Sequence, residues 1–433
     1  MKRWKGLAAC LIAGLVAFGA SHKGEAARHR VAAQEGDSST IVERVHAILS
    51  SDPSYSVSME RGGETKNLTA DRLAQKAGDA ASNGALHYNQ TTRNMHEWAV
   101  DVEDTGGTLL FSDSPEYVKD SGILYEDTVV GDARVLYYHL NDSEAVKKVA
   151  VVLQNPSASP VTVTVTRGGT SDASTDYLEV GKNTQIAYFQ TKRNDVITVP
   201  AHGKRLLEAE MDEAVLMPGQ LVYGVYDFHA AAPVKASVIC YPDWANPLSF
   251  LSHARVLPKD EQRLRGTFKG MDRVISSRPY DPERDGVVYI SIGDSHRDTF
   301  RKGIDATDGS TVTDVGNYGV LYRLEIPSVG RVATQYYLTP LGGVYAGAMR
   351  VHYGQGKTRL LETPGGRAYF GDDIPPDSDA DRALRLLGRD RLKASAEMSD
   401  LGSYHSTSAP RFEFSPPGAS NLPVQIILMP AKQ

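Results

Sequence analysis

Val161-Thr162-Val163-Thr164-Val165-Thr166 alternates two β-branched residues with a period of two. Successive side chains of an extended strand point to opposite faces, so the valines form one surface and the threonines the other, one side buried and one wet. Upstream, Lys148-Val149-Ala150-Val151-Val152-Leu153 is a second apolar run, and Asn155-Pro156-Ser157-Ala158-Ser159-Pro160 between them carries turn chemistry. Together they predict a β-hairpin. Further strands are expected over 185–189, 195–199, 205–210, 220–228 and 234–241, separated by turn signals at the short, regular intervals of a sandwich. No long crossover helix of a parallel α/β sheet interrupts them.

Working outward, residues 111–245 read as a first β-sandwich domain, immunoglobulin-like in pattern over 122–243. Residues 246–266, with Pro247, Pro258 and the charged run Lys259-Asp260-Glu261-Gln262-Arg263, read as a linker. A second β-sandwich domain is expected over 267–430, with strands over 287–292, 319–326, 331–338 and 344–353. Turns at Pro327-Ser328-Val329-Gly330 and Thr339-Pro340-Leu341-Gly342-Gly343 make the last three a meander. A helical insertion is expected over 372–392, with its helix over 379–387, and 423–429 is an apolar run suited to a sheet interior. Residues 27–110 read as a flexible N-terminus followed by a small helical region, with helices starting at Ser39 and Thr69. The expected class is therefore mainly β: two antiparallel β-sandwich regions and a small helix-containing N-terminal region.

Residues 1–26 have the three parts of an export signal: a basic start (Lys2, Arg3, Lys5), an uncharged stretch over 6–20, and small residues for processing. The stretch is shorter than the ~20 residues that span a bilayer, which favours cleavage and a secreted or cell-envelope-associated protein that meets the membrane only during export. The signal holds Lys2, Arg3, Lys5 and Lys23 against Glu25, so removing it takes the formal charge of −6 to about −9. Such a chain has no basic surface to neutralise a phosphate backbone, which argues against nucleic acid as a partner. Of the two cysteines, Cys10 leaves with the signal and Cys240 closes an apolar strand, so no internal disulfide is expected.

Four constellations could carry chemistry. Asp294, His296 and Asp298, with Asp305 and Asp308, place oxygen and nitrogen donors on one loop after a strand, the raw material of a calcium site. Asp377-Ser378-Asp379-Ala380-Asp381 opens like a calcium-binding loop, but Arg382 stands where the sharp turn needs glycine and Gly388 where the cage needs an acid. Asp227 and His229 sit two apart on a strand and would share a face. Tyr137-Tyr138 and Tyr336-Tyr337 place one ring in and one out, making Tyr138 and Tyr337 candidate ligand contacts. No catalytic residue is assigned and no cofactor is required, calcium being the ion whose ligands the acidic loops could supply.

Leu110-Phe111-Ser112-Asp113-Ser114-Pro115-Glu116, Gly131-Asp132-Ala133-Arg134-Val135-Leu136-Tyr137-Tyr138-His139 and Gly418-Ala419-Ser420-Asn421-Leu422-Pro423 resemble uncharacterised secreted bacterial β-sandwich proteins, some labelled copper amine oxidase-like. The resemblance covers about 110–430. The oxidase label implies a tyrosine in a Thr-x-x-Asn-Tyr-Asp/Glu motif and copper held partly by His-x-His. Here Asn317-Tyr318 is flanked by Asp314 and Gly319 instead, and no His-x-His occurs. The expectation is a non-catalytic binding or structural protein whose partner is a cell-wall polymer or another surface protein. The alternative is an extracellular hydrolase acting on polysaccharide or peptide.

Overall fold

The computed structural model describes residues 95–341, 344–366, 369–370, 391–392 and 398–431. The export signal, the helices starting at Ser39 and Thr69, the helix over 379–387 and the acids Asp377, Asp379 and Asp381 lie outside the described residues. What is described is mainly β, in sheets of eleven, six and five strands and one two-stranded pair. The alternation at Val161 appears as read: the three valines are buried, Thr162 and Thr166 are exposed, and Thr164 is half-buried.

At the centre of the eleven-stranded sheet, Gly122–Asn141 and Leu221–Pro242 pair antiparallel along their length, with a register break between Ala230 and Val234. Two shorter strands share one edge of Leu221–Pro242: Lys147–Gln154 pairs with its second half and Val161–Thr170 with its first. These strands therefore lie end to end instead of forming the expected hairpin. Their connection passes the register break, where Pro233 has no N–H to donate and a bulge interrupts the ladder. Asn155 Nδ2 holds the excursion by donating to the Ser159 carbonyl at 2.7 Å.

The strand expected over 185–189 is instead part of a helix, Tyr177–Gln190, capped by the Asp176 carboxylate accepting from the Glu179 N–H at 3.2 Å. Val180, Thr184 and Tyr188 recur every four residues and are buried, a helical period that a short window misses. The strand expected over 205–210 is reduced to Lys204–Leu206, followed by a 3₁₀ turn at Ala209–Asp212. The expected meander is also replaced. Leu321–Glu325 and Gly347–Tyr353 belong to the six-stranded sheet and Thr334–Pro340 to the five-stranded one. Each strand has one apolar face, and exchanging sheets lets Leu324, Leu338 and Val351 meet in one core. Val424–Pro430 is an interior strand of the five-stranded sheet, as its apolar run suggested.

The eleven-stranded sheet is covered on both faces. Leu109, Phe111, Leu136 and Tyr138 enter the core shared with the other two sheets and the helix, whereas Leu110, Val135 and Tyr137 enter a second core on the far side. The sheet also takes strands from both sides of residue 267, because Arg265–Lys269 pairs with Thr108–Ser112 and is followed by Arg301–Ile304 and Thr311–Asp314. Several pairings are parallel, among them Thr108–Ser112 with Gly122–Asn141 and Asp272–Ser276 with Leu321–Glu325.

Candidate functional site

Alternation along Thr108–Ser112 and the parallel Gly122–Asn141 sends Phe111, Asp113, Leu136 and Tyr138 to one face, Ser112 and His139 to the other. On the first face lies a cavity of about 30 Å³, room for about two waters. Asp113, Glu116 and the rings of Tyr138, Tyr223 and Tyr318 line it, with Gly418 closing one side. Gly418 is required there by close approach: a Cβ would stand 2.9 Å from the Tyr138 ring.

The polar atoms of this cavity are unevenly satisfied. Tyr318 Oη donates to the Ser420 carbonyl at 2.7 Å, and Gln185 Nε2 donates to Tyr223 Oη at 3.1 Å. Among the described residues Asp113 Oδ1 and Tyr138 Oη are buried with no hydrogen-bond partner. Burial raises the Asp113 carboxyl well above its usual range, reinforced by the charges of Glu116, Asp260 and Asp314. Burial, with Asp260 beside it, pushes Glu116 up to about 8. No lysine or arginine lines the cavity among the described residues.

Two contacts hold the acidic loop. Asp260 accepts from Ser114 Oγ and from the Glu116 N–H, both at 2.8 Å. Behind the strand, His139 Nδ1 lies 2.9 Å from the Pro115 carbonyl and Nε2 lies 2.9 Å from Ser112 Oγ. A carbonyl only accepts, so Nδ1 carries the proton and the serine donates to Nε2. Burial lowers the His139 pKa to about 4, so the imidazole stays neutral. Both side chains are wholly buried, and the pair serves as a pin.

The residues singled out from sequence fall elsewhere, with one exception. Asp227 is buried, accepting from Arg134 Nε at 2.6 Å and Tyr188 Oη at 2.8 Å. His229 is exposed and lies 2.7 Å from Asp132, so the strand assigns the two residues different partners. Asp294 caps a turn, accepting from the N–H groups of His296, Arg297 and Asp298. His296 is exposed, while Asp298 is buried against Arg273 at 2.5 Å and Tyr322 at 2.6 Å. Asp305 and Asp308 both meet Lys259, and Arg265 also binds Asp305. Among the described residues no group of three or more His, Cys, Asp or Glu side chains is placed to hold a metal ion. Tyr337 is half-buried beside an inward Tyr336. Tyr138 is the exception: it lies in the cavity, but buried, because its sheet is covered on both faces.

Sequence reasoning did not single out Asp113 and Glu116. The available signal was two acids flanking a proline at the end of an apolar strand, a spacing too common to stand out.

No family model matches the chain, and no curated protein does. Among solved structures it is similar to oxalate decarboxylase of Bacillus subtilis, in a structure concerned with that enzyme's Mn(II) centres, at 9% identity over 78% of this chain and 80% of that one, with a TM-score of 0.12. A mutant of the same enzyme aligns at 9% identity over 80% and 84%, with a TM-score of 0.12. A likeness this faint informs neither fold nor chemistry.

Proposed function

We propose that this is a secreted or cell-envelope-associated binding protein that does not turn over its partner, a cell-wall polymer or another surface protein. The observation that carries the reading is the fate of the acids suited to catalysis. Asp227, Asp298 and Asp305 are each buried against an arginine, where they join strands and loops instead of facing a substrate. Contacts would come from exposed sheet edges such as Asp195–Val199, where Val196 faces solvent, and from Trp244, which is 83% exposed. The finer architecture, two immunoglobulin-like β-sandwich regions over 111–245 and 267–430, belongs to the same proposal. The two-sided burial of the eleven-stranded sheet supports layering, and its parallel pairings depart from a purely antiparallel sandwich.

The alternative, an extracellular hydrolase of polysaccharide or peptide, draws on Asp113 and Glu116, two acids at one cavity. The size of the cavity favours the binding reading, since two waters fit where a sugar ring would not. Incubation of the purified protein with peptidoglycan separates the two. Pelleting without release of soluble fragments is expected, with Trp244→Ala pelleting less than the parent. Fragment release would establish the hydrolase, and neither pelleting nor release would remove the cell-wall polymer as partner.

A further inference from the structure

We propose that the cavity between Phe111 and Gly418 binds a small primary ammonium ion of about the size of methylammonium. The case begins with the unused acceptors. Among the described residues Asp113 Oδ1 and Tyr138 Oη are buried without a partner, and the Glu116 carboxyl lines the same cavity. Leaving such groups unpaired is costly, and a native fold seldom does so without a reason. A primary ammonium group has three N–H donors, one for each of these acceptors.

Charge and wall chemistry narrow the choice further. No cationic side chain reaches the cavity among the described residues, so a bound cation would supply the countercharge that Asp113 and Glu116 lack. The remaining wall is largely aromatic, with Phe111, Tyr223 and Tyr318 beside Tyr138. Ring faces attract an ammonium ion and offer nothing to the oxygen-seeking coordination shell of calcium or magnesium. Size sets the upper limit: with room for about two waters, a tetraalkylammonium ion is excluded. An arriving cation favours the ionised carboxyls, so the protons that burial retains on Asp113 and Glu116 leave on binding.

The test is titration calorimetry of the full chain with methylammonium chloride, run in buffers of different ionisation enthalpy. Potassium, calcium and tetramethylammonium chlorides serve as controls. Saturable binding of methylammonium alone is expected, with a heat that varies with buffer because protons are released. Asp113→Asn and Tyr138→Phe should each weaken it roughly tenfold or more, as expected for losing a charge-assisted contact or an acceptor. Asp113→Asn replaces a carboxyl that burial keeps protonated with a neutral amide of the same shape, so it should fold, and a thermal melt of each variant checks this. Absence of saturable methylammonium binding overturns the inference. So does equal binding by the folded variants, or a preference for calcium or tetramethylammonium. The inference stands apart from the polymer reading: pelleting with peptidoglycan reports on the outer surface, and this titration on the cavity.

Discussion

Two buried acid clusters lie within the same fold and are treated in opposite ways. In one, Arg134 spends its whole guanidinium on its surroundings: Nε and Nη2 on Asp227, Nη2 also on Asp272 at 3.0 Å, and Nη1 on the Met271 and Gly319 carbonyls. Arg323 completes Asp272 at 2.7 Å, and Tyr188 completes Asp227. In the other, Asp113 and Glu116 share a cavity with tyrosines and have no cation beside them among the described residues. Both clusters are carboxyls removed from water, and only the presence of a guanidinium separates them. A satisfied network fixes neighbouring strands in place, whereas an unsatisfied one retains the capacity to bind.

Breaking the satisfied cluster should have the largest effect. Arg134→Met leaves Asp227 buried with only the Tyr188 hydroxyl and the more distant charge of Arg167, and strips Asp272 of one of its two arginines. Removing one member of a buried ion pair costs about 3–5 kcal/mol, read as a lower urea midpoint. Adding Asp227→Asn should recover part of that loss by removing the stranded charge. A loss below about 1 kcal/mol, the range of surface pairs, would show that this network is no firmer than an exposed one and erase the contrast.

The two clusters also differ in how far sequence could reveal them. Period-two alternation exposed the strands because burial on one face imposes it locally, as at Val161, Val163 and Val165. It also hid the cavity. Tyr137-Tyr138 read as one ring in and one out, yet the sheet is covered on both faces and both rings are buried. Pairing partners were equally invisible. Nothing within 148–166 shows that its two strands extend along a third strand some seventy residues away, and nothing in 319–353 shows that three consecutive strands alternate between two sheets. Within the helix Tyr177–Gln190, the short stretch Gln185 to Phe189 has strand-like composition, and the helical signal lies in the Asp176 cap nine residues ahead of it. Asp227 was legible as a special residue, but its partner, Arg134, comes from a different strand and the choice between catalysis and cement depends on it.

The unsatisfied cluster has its own signature, smaller and dependent on pH. Glu116 is held up to about 8 against an ordinary 4.5, so the folded state keeps a proton that the unfolded chain gives up. A raised pKa of this kind contributes stability that is full below about 4.5 and is lost as pH climbs through 8. Glu116→Gln removes the titration. The variant should therefore gain on the parent between pH 5 and pH 8, by on the order of a few kcal/mol at the upper end, in urea unfolding at the two pH values. Asp113 and Asp260 face Glu116 and remain in both proteins, and Asp104 and Asp305, whose pKa values are lowered, destabilise both alike on acidification. Parallel pH dependence in parent and variant would mean that Glu116 is ionised in the fold, and the cluster would then not be short of a cation.

The smallest effect belongs to an acid that neither cluster claims. Asp132 meets His229 at 2.7 Å on the open side of the long strand pair, both side chains more than half exposed. Two residues away, Asp227 makes a contact of nearly the same length, 2.6 Å, in the buried interior. Water screens the first pair and not the second, so distance alone does not rank them. His229→Ala should change the urea midpoint by less than about 1 kcal/mol, and raising the salt concentration should not widen the difference between variant and parent. A loss comparable to that of Arg134→Met would require Asp132 and His229 to be buried by something absent from the isolated chain. That result would turn an idle surface pair into a marker of the partner's footprint.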